Sequence, residues 1–421
     1  PALTNLDIEL DFINDGLWMK TDGVNLGGVR ASNLTAVIPD YSKEKLLIDA
    51  DIKGPGKAVG PYFDETPLKD SLGATLQELQ LDGDVNARLH LDIPLNGELV
   101  TAKGEVTLRN NSLFIKPLDS TLKNLSGKFS FINGDLQSEP LTASWFNQPL
   151  NVDFSTKEGA KAYQVAVNLN GNWQPAKTGV LPVAVNEALS GSVAWDGKVG
   201  IDLPYHAGAT YNVELNGDLK NVSSHLPSPL AKPAGEPLAV NVKVDGNLNS
   251  FELTGQAGAD NHFNSRWLLG QKLTLDRAIW AADSKTLPPL PEQSGVELNM
   301  PPMNGAEWLA LFQKGAAESV GGAASFPQHI TLRTPMLSLG NQQWNNLSIV
   351  SQPTANGTLV EAQGREINAT LAMRNNAPWL ANIKYLYYNP SVAKTRGDST
   401  QSSPFPTTER INFRGWPDAQ I

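Results

Sequence analysis

From Leu79 to Ile93 the chain reads LQLDGDVNARLHLDI, with an apolar residue or Gly at every odd position and a polar one at every even position. Period two is the strand period, so Leu79, Leu81, Val85, Ala87, Leu89, Leu91 and Ile93 share one face. Gln80, Asp82, Asp84, Asn86, Arg88, His90 and Asp92 share the other. The pattern predicts antiparallel sheet with one face in water. Asp82-Gly83 is the dipeptide of a two-residue hairpin, but such a turn pairs Leu81 with Asp84 and mixes the faces. A straight run, or a three-residue loop pairing Leu81 with Val85, keeps them apart. Arg88, His90 and Asp92 are therefore expected outside, and the odd positions inside a concave face.

The same alternation recurs along the chain: Leu6, Ile8, Leu10 and Phe12 against Asp7, Glu9 and Asp11; Leu46, Ile48, Ala50 and Ile52; Val100, Ala102, Val106 and Leu108 against Thr101, Lys103, Glu105, Thr107 and Arg109. These short one-sided strands joined by Asn-Gly and similar turns read as all-β. A small repeat sits on top of them: LNGEL at Leu95, INGDL at Ile132, LNGNW at Leu169, LNGDL at Leu215 and VDGNL at Val244. Each is expected to be a three-residue loop or Gly-bearing bulge that keeps parity. A larger repeat aligns Gly83, Val85 and LDIPL at Leu91 with Gly191, Val193 and IDLPY at Ile201. Its period of roughly 110 residues is long for one blade or solenoid coil.

Three segments break the alternation: 54–78, 174–187 and the Pro-rich TLPPLPEQSG from Thr286. Each could carry the chain back across a sheet. The expected organisation is a first, incomplete unit with a crossing segment over 1–78, a second unit over 79–188, a third over 189–303, and a helix with further strands over 304–421. NGAEWLALFQKGAAES supplies the helix, with Asn304 as N-cap and Trp308, Leu311 and Phe312 on one stripe, either docked on the sheet or acting as a lid. Residues 390–408, rich in Ser, Thr and Pro, read as a mobile loop.

Composition narrows the function classes. The 421 residues carry 33 Lys and Arg against 43 Asp and Glu, a net charge of -10, so an extended basic surface for nucleic acid is not indicated. There is no Cys, which excludes disulfides, thiolate metal sites and thiol nucleophiles. No apolar run approaches the roughly 18 residues of a spanning helix, and no signal peptide is visible. The chain starts at Pro1 and ends on GWPDAQI, as an excised piece would. His90, His206, His225, His262 and His329 are scattered without metal-ligand spacing and read as surface residues. Asp7, Glu9 and Asp11, like Asp49 and Asp51, read as solvated strand faces rather than a calcium loop. GPGKAVG at Gly54 lacks Walker spacing, no G-x-S-x-G elbow exists, and NLT at Asn33 and RGD at Arg396 are cheap matches. No catalytic residue, metal site or cofactor is assigned, and no enzyme is expected.

What remains is the apolar face. Two such sheets ordinarily close into a sandwich, yet the one-sided strand repeats over nearly the whole chain, far beyond one compact core. An open curved sheet, with its apolar face kept as a groove for a long, flexible, apolar ligand, is the alternative. An inert scaffold or adhesin-like sandwich with a self-filled core, and an enzyme on a β scaffold, stay open beside it. PYFDETPLKDSLGATLQELQLDGDV, LRNNSLFIKPLDSTLKNLSGKFSFINGDL and ASWFNQPLNVDFSTKEG resemble the AsmA-like family of the Gram-negative envelope. That resemblance implies repeating β-groove units like those of the chorein-type bridge proteins, in a periplasmic segment of an inner-membrane-anchored protein. It also implies movement of phospholipid towards the outer membrane, with both membrane-contacting ends outside this chain.

The expected fold is all-β: an elongated, curved antiparallel sheet forming a repeating β-groove, a half-barrel with one or two short helices. The family supplies no contact residue, so the groove lining comes from parity alone. It comprises Leu81, Val85, Leu89, Leu91, Ile93, Val106, Leu108, Phe129, Phe131, Tyr163, Val165, Val167 and Leu169. To these it adds Val193, Trp195, Tyr211, Val213, Leu215, Val240, Val242, Val244, Phe251, Leu253, Ile367, Leu371 and Met373. The expected partners are phospholipid acyl chains and, through segments outside this chain, the inner and outer membranes.

Overall fold

A computed structural model describes residues 3–4, 7–58, 79–116, 120–179, 181–316, 324–390 and 419–420. The chain divides into two compact units. The first holds Pro1–Leu181, Ser190–Asn221 and Asn241–Leu248, and the second holds Pro182–Leu189, Val222–Val240 and Asn249–Ile421. The expected loop at 390–408 and the RGD at Arg396 lie, but for Pro390, outside the described residues.

In the first unit, alternating strands with mostly short connections run up and down beside one another. Glu9–Ile13, Gly16–Leu26, Val29–Ile38, Lys45–Pro55, Asp84–Pro94, Thr101–Ile115 and Ser120–Ile132 each pair antiparallel with the next. Asp135–Ser138 and Leu141–Trp145 both lie along Ser120–Ile132 and hand over to Gln148–Glu158. Ala162–Trp173, Val193–Pro204 and Thr210–Asp218 follow, again antiparallel.

The opening stretch is a straight run with one dislocation, as its parity requires. Leu79–Asp82 and Asp84–Pro94 pair with successive parts of the same partner, Thr101–Ile115. The break is Gly83, at φ 95, where a Cβ would stand 2.9 Å from the Asn111 side-chain nitrogen. Asn111 is fully buried and brackets the dislocation. Its Nδ2 donates to Asp82 O at 3.0 Å and Asp84 O at 3.1 Å, and its Oδ1 accepts from Arg109 N at 2.8 Å. Left-handed Asn33 and Asn124 mark further register shifts on other strands. Bulges of this kind bend a sheet without exchanging its faces. The larger repeat keeps the positive-φ glycine but not the pairing: Gly191, at φ 94, precedes Val193–Pro204 as Gly83 precedes Asp84–Pro94, yet Leu189–Gly191 belongs to a separate two-stranded sheet with Val222–Ser224.

The smaller repeat does not have one geometry. LNGNW and LNGDL lie almost wholly within the straight strands Ala162–Trp173 and Thr210–Asp218, and VDGNL closes the strand Ala239–Asn247. LNGEL is a loop that exposes Leu95 and Leu99. INGDL is a two-residue hairpin pairing Ile132 with Asp135, so parity flips there and Ile132 faces water. The five letters leave the choice to the partner strand: where one lies alongside, the backbone stays extended.

The second unit departs from the expected purely antiparallel sheet. Ser250–Ala257, Asn261–Leu268 and Leu273–Ala281 are antiparallel. Gly295–Asn299 then pairs parallel with Leu273–Ala281, and Ile330–Leu339 parallel with Gly295–Asn299. Parallel neighbours need a crossover. The Pro-rich segment from Thr286 makes the first, as its composition suggested, and the second contains the helix Gly305–Ala316. An antiparallel run resumes through Gln342–Thr354, Gly357–Gln363, Ile367–Arg374 and Trp379–Leu386. The segment 174–187 makes no crossing, because the strands on either side of it are antiparallel neighbours; it contains a short helix, Val183–Ala188.

Asn304 caps the longer helix as expected, accepting from Ala306 N at 3.1 Å and donating to Glu307 at 2.8 Å. Trp308 packs edge-on against Trp280 and donates to Ser228 O at 3.0 Å, so the helix is docked on the sheet. At the other end of this unit the buried Glu366 carboxylate accepts from Asn345 N, Asn345 Nδ2 and Asn389 Nδ2 at 2.6, 2.8 and 3.1 Å. Burial pushes this carboxyl up, but the Asn345 and Asn389 donors outweigh it and hold it below the usual range.

Two tests follow from these buried polar anchors. Asn111→Ala leaves two carbonyls and an N–H unpaired in the interior, and is expected to cost roughly 2–4 kcal/mol in urea unfolding. Asn168→Ala, on the exposed face, should stay within about 0.5 kcal/mol; equal losses would remove the bracket role of Asn111. Because the folded pKa of Glu366 is depressed, its stabilisation is present above the ordinary glutamate range and is lost as pH falls below that range through the lowered folded pKa. The stability advantage of the native chain over Glu366→Gln should therefore shrink on acidification, and a difference that is constant from pH 7 to pH 3 refutes this.

Candidate functional site

Strand register sets the apolar positions side by side. In the first unit one row runs Val24, Ala31, Ile52, Ala87, Val106, Phe129, each directly opposite the next. Ser138 stands opposite Phe129, and its Oγ accepts from Phe154 N at 2.7 Å. Phe154 meets Phe129 over it, ring centroids 5.6 Å apart. The row then continues through Val167, Val199 and Val213. A parallel row joins Ala50, Leu89, Gly104, Phe131 and Leu136. Others join Leu169, Gly197 and Leu215, and Val165, Ile201 and Tyr211.

The second unit repeats the arrangement. Gly255, Phe263, Trp280, Leu298, Leu332, Ile349, Ala362, Ala369 and Ile383 form one row. Leu253 and Leu371 stand in the adjacent row. The helix that carries Trp308 packs on this same face, against Trp280, Met300 and Met303.

The predicted lining residues sort by burial. Val85, Val106 and Leu108 belong to a packed band with Leu122, Leu125, Leu141, Leu150 and Val152. Tyr163 is 0% exposed. Its hydroxyl donates to Gly134 O at 2.8 Å and contacts Thr156 Oγ1 at 2.7 Å, and burial pushes its pKa up to about 12. These four are foundation rather than surface. The others are half-buried: Leu81, Leu89, Leu91, Ile93, Phe129, Phe131, Val165, Val167, Leu169, Val193, Trp195, Tyr211, Val213 and Leu215 in the first unit. Val242 and Val244, also in the first unit, and Val240, Phe251, Leu253, Ile367, Leu371 and Met373 in the second share that state. Arg88 is exposed on the opposite face, opposite Asp51 and Glu105. His90 and Asp92 share that face, held by Asp49 at 2.9 Å and Lys45 at 3.1 Å.

Glycines let rings lie down on this face. A Cβ on Gly104 would sit 2.8 Å from the Phe131 ring and 2.1 Å from Arg88 O, and one on Gly255 would sit 1.8 Å from the Phe263 ring. At one end of the first unit's strands Trp145 stacks on Phe146 at 4.8 Å, meets Trp173 at 6.5 Å, and Trp173 meets Trp195 at 4.8 Å. Trp145, Trp173, Phe154, Val199 and Ile201 were missed in the sequence reading, although the parity of their strands places each on the apolar face.

Among the described residues there is no group of three or more His, Asp or Glu able to hold a metal. His262 corrects the expectation of surface histidines, being buried at 6% exposure on the strand Asn261–Leu268. Gly104→Ala should displace Phe131 and lower stability by roughly 1–3 kcal/mol in thermal or urea unfolding. A neutral result means that the ring does not rest on the glycine.

A family model described as YhdP protein matches residues 1–421. The chain is 99% identical over 421 residues to an Escherichia coli (strain K12) protein whose name is Intermembrane phospholipid transporter YhdP. It spans 100% of itself and 33% of that relative, about a third of the longer protein. No solved structure matches the chain. Among the described residues no helix is long and apolar enough to cross a membrane. With its whole length matched and near identity to that relative, the chain belongs to the YhdP protein family.

Proposed function

We propose that this chain is a non-enzymatic stretch of a lipid-transfer path, whose half-buried apolar rows form a lane that shelters phospholipid acyl chains between the inner and outer membranes. The observation that carries the reading is the lateral continuity of those rows. A row that passes from strand to strand without a polar interruption larger than Ser138 offers a tail a path across the sheet, not a single pocket. The relative's name, an intermembrane phospholipid transporter, supports the ligand class. A periplasmic position, in a protein anchored in the inner membrane by segments outside this chain, is part of the same proposal.

The energetics suit it. Burial is worth about 0.8 kcal/mol per CH₂, so a lipid with two tails of roughly 15 carbons faces on the order of 20 kcal/mol on entering water bare. A lane that covers the tails while the headgroup stays wet removes most of that barrier. The packed band around Leu108, Leu141 and Leu150 favours a second reading for that section alone: there the apolar face is filled by its own side chains and acts as floor.

Val213→Asp places an unpaired charge in the row beside Val199, at a cost of several kcal/mol when acyl chains must pass it. Asn212→Asp, on the exposed face, is the matched control. Both variants are expected to fold. Val213→Asp should yield less lipid by mass spectrometry of organic extracts and pass less lipid in the full-length protein. Equal lipid content and flux in the two variants would sink the lane; outright unfolding of Val213→Asp alone would favour a closed, self-filled core.

A further inference from the structure

Across its width the apolar face of the first unit has two unlike rims, one at each end of the strands. At one rim stand Trp145, Trp173 and Trp195, on strand ends opposite Gln148, Val193 and Gly171 respectively. Their rings interlock edge to face, and the positions just inside them, Leu141 and Leu150, are 1% and 2% exposed. The polar atoms of this wall are out of reach. Trp145 Nε1 donates to Ser120 Oγ at 2.7 Å and Trp173 Nε1 to Pro149 O at 2.7 Å, while Trp195 Nε1 is buried without an acceptor.

The other rim is wet. There Leu91 and Ile93 lead into the loop that follows Pro94, in which Leu99 is 92% exposed. On the parity of the apolar face Glu158 is exposed opposite Tyr163, and Tyr205 Oη donates to Gly159 O at 2.9 Å. Tyr211, opposite Ile201, carries its phenol on this side of Val213.

We propose that phospholipids lie across the first unit's lane in one orientation, with the ends of their tails against the Trp145–Trp173–Trp195 wall and their headgroups at the Ile93, Tyr205 and Tyr211 rim. This rests on the lipid-lane reading above. The physical reason is that a headgroup must keep water or hydrogen-bonding partners, which the aromatic wall denies, whereas a methyl terminus requires neither. Conversely, the wall gives a tail end the dense apolar contact that the charged rim lacks.

The test uses the chain incubated with phosphatidylethanolamine–phosphatidylglycerol vesicles. The vesicles contain a trace of one of two photoactivatable phosphatidylethanolamines, with the diazirine at an acyl terminus or on the headgroup nitrogen. After irradiation, adducts are mapped by peptide mass spectrometry. An inverted lipid that exposes as little as two methylenes is disfavoured roughly tenfold, so the acyl-end probe should label the Trp145 and Trp173 peptides over the Leu203–Tyr211 peptide by about that ratio. The headgroup probe should show the reverse preference. Adducts from both probes with the same distribution overturn the orientation while leaving the lane intact. No adducts on the apolar face from either probe overturn both.

Discussion

The structure depends on cross-strand register. Alternation gives each strand an apolar side, but only when neighbours pair in phase do Ala87, Val106 and Phe129 stand opposite one another rather than opposite Asn86, Thr107 or Lys128. A slip of one residue on any strand would turn its whole apolar set to the other face and cut the row there. The tight hairpins, the buried Asn111 and the irregularities at Gly83, Asn33 and Asn124 all act on this one variable. They allow the sheet to bend while each strand keeps its phase.

The apolar face is maintained by space as well as by sequence. Gly104 and Gly255 are strand interior positions where glycine is intrinsically unfavourable, yet at each a ring from the next strand lies where a Cβ would be. The ring covers backbone that a smaller residue would leave bare. Residues that look like interruptions in the sequence thus make room for the rings that complete the apolar surface. The fully packed band and the buried Tyr163 hydroxyl fix the backbone beneath the more accessible rows. Packed and more accessible apolar residues thus occupy different positions of the same face.

The second unit solves the same problem with a different connection. Its parallel neighbours require crossovers, and the Pro-rich segment and the capped helix provide them. Trp308 anchors that helix on Trp280, so the crossover also covers part of the apolar row it spans. In the first unit the corresponding row is buried at Val24, Ala31 and Val106 and half-buried at Phe129, Val167, Val199 and Val213.

The sequence by itself determined which side chains share a face, because parity along a strand is local: a residue's side is fixed by its neighbours two positions away. It determined the helix cap at Asn304, the straight run through Gly83 and the exposure of Arg88 for the same reason. Its resemblance to the AsmA-like family pointed to a lipid path before any geometry did. Only the tertiary structure decided what lies opposite what. Pairings such as Phe129 with Val106, the meeting of Trp145 with Trp173, and the parallel order around Gly295–Asn299 join residues far apart in the chain, and no local pattern encodes their register. The same limit explains the Asn-Gly pentapeptides. Whether such a segment turns at INGDL or runs straight at LNGNW depends on whether a neighbouring strand is there to hold it extended, and that neighbour is supplied by the fold.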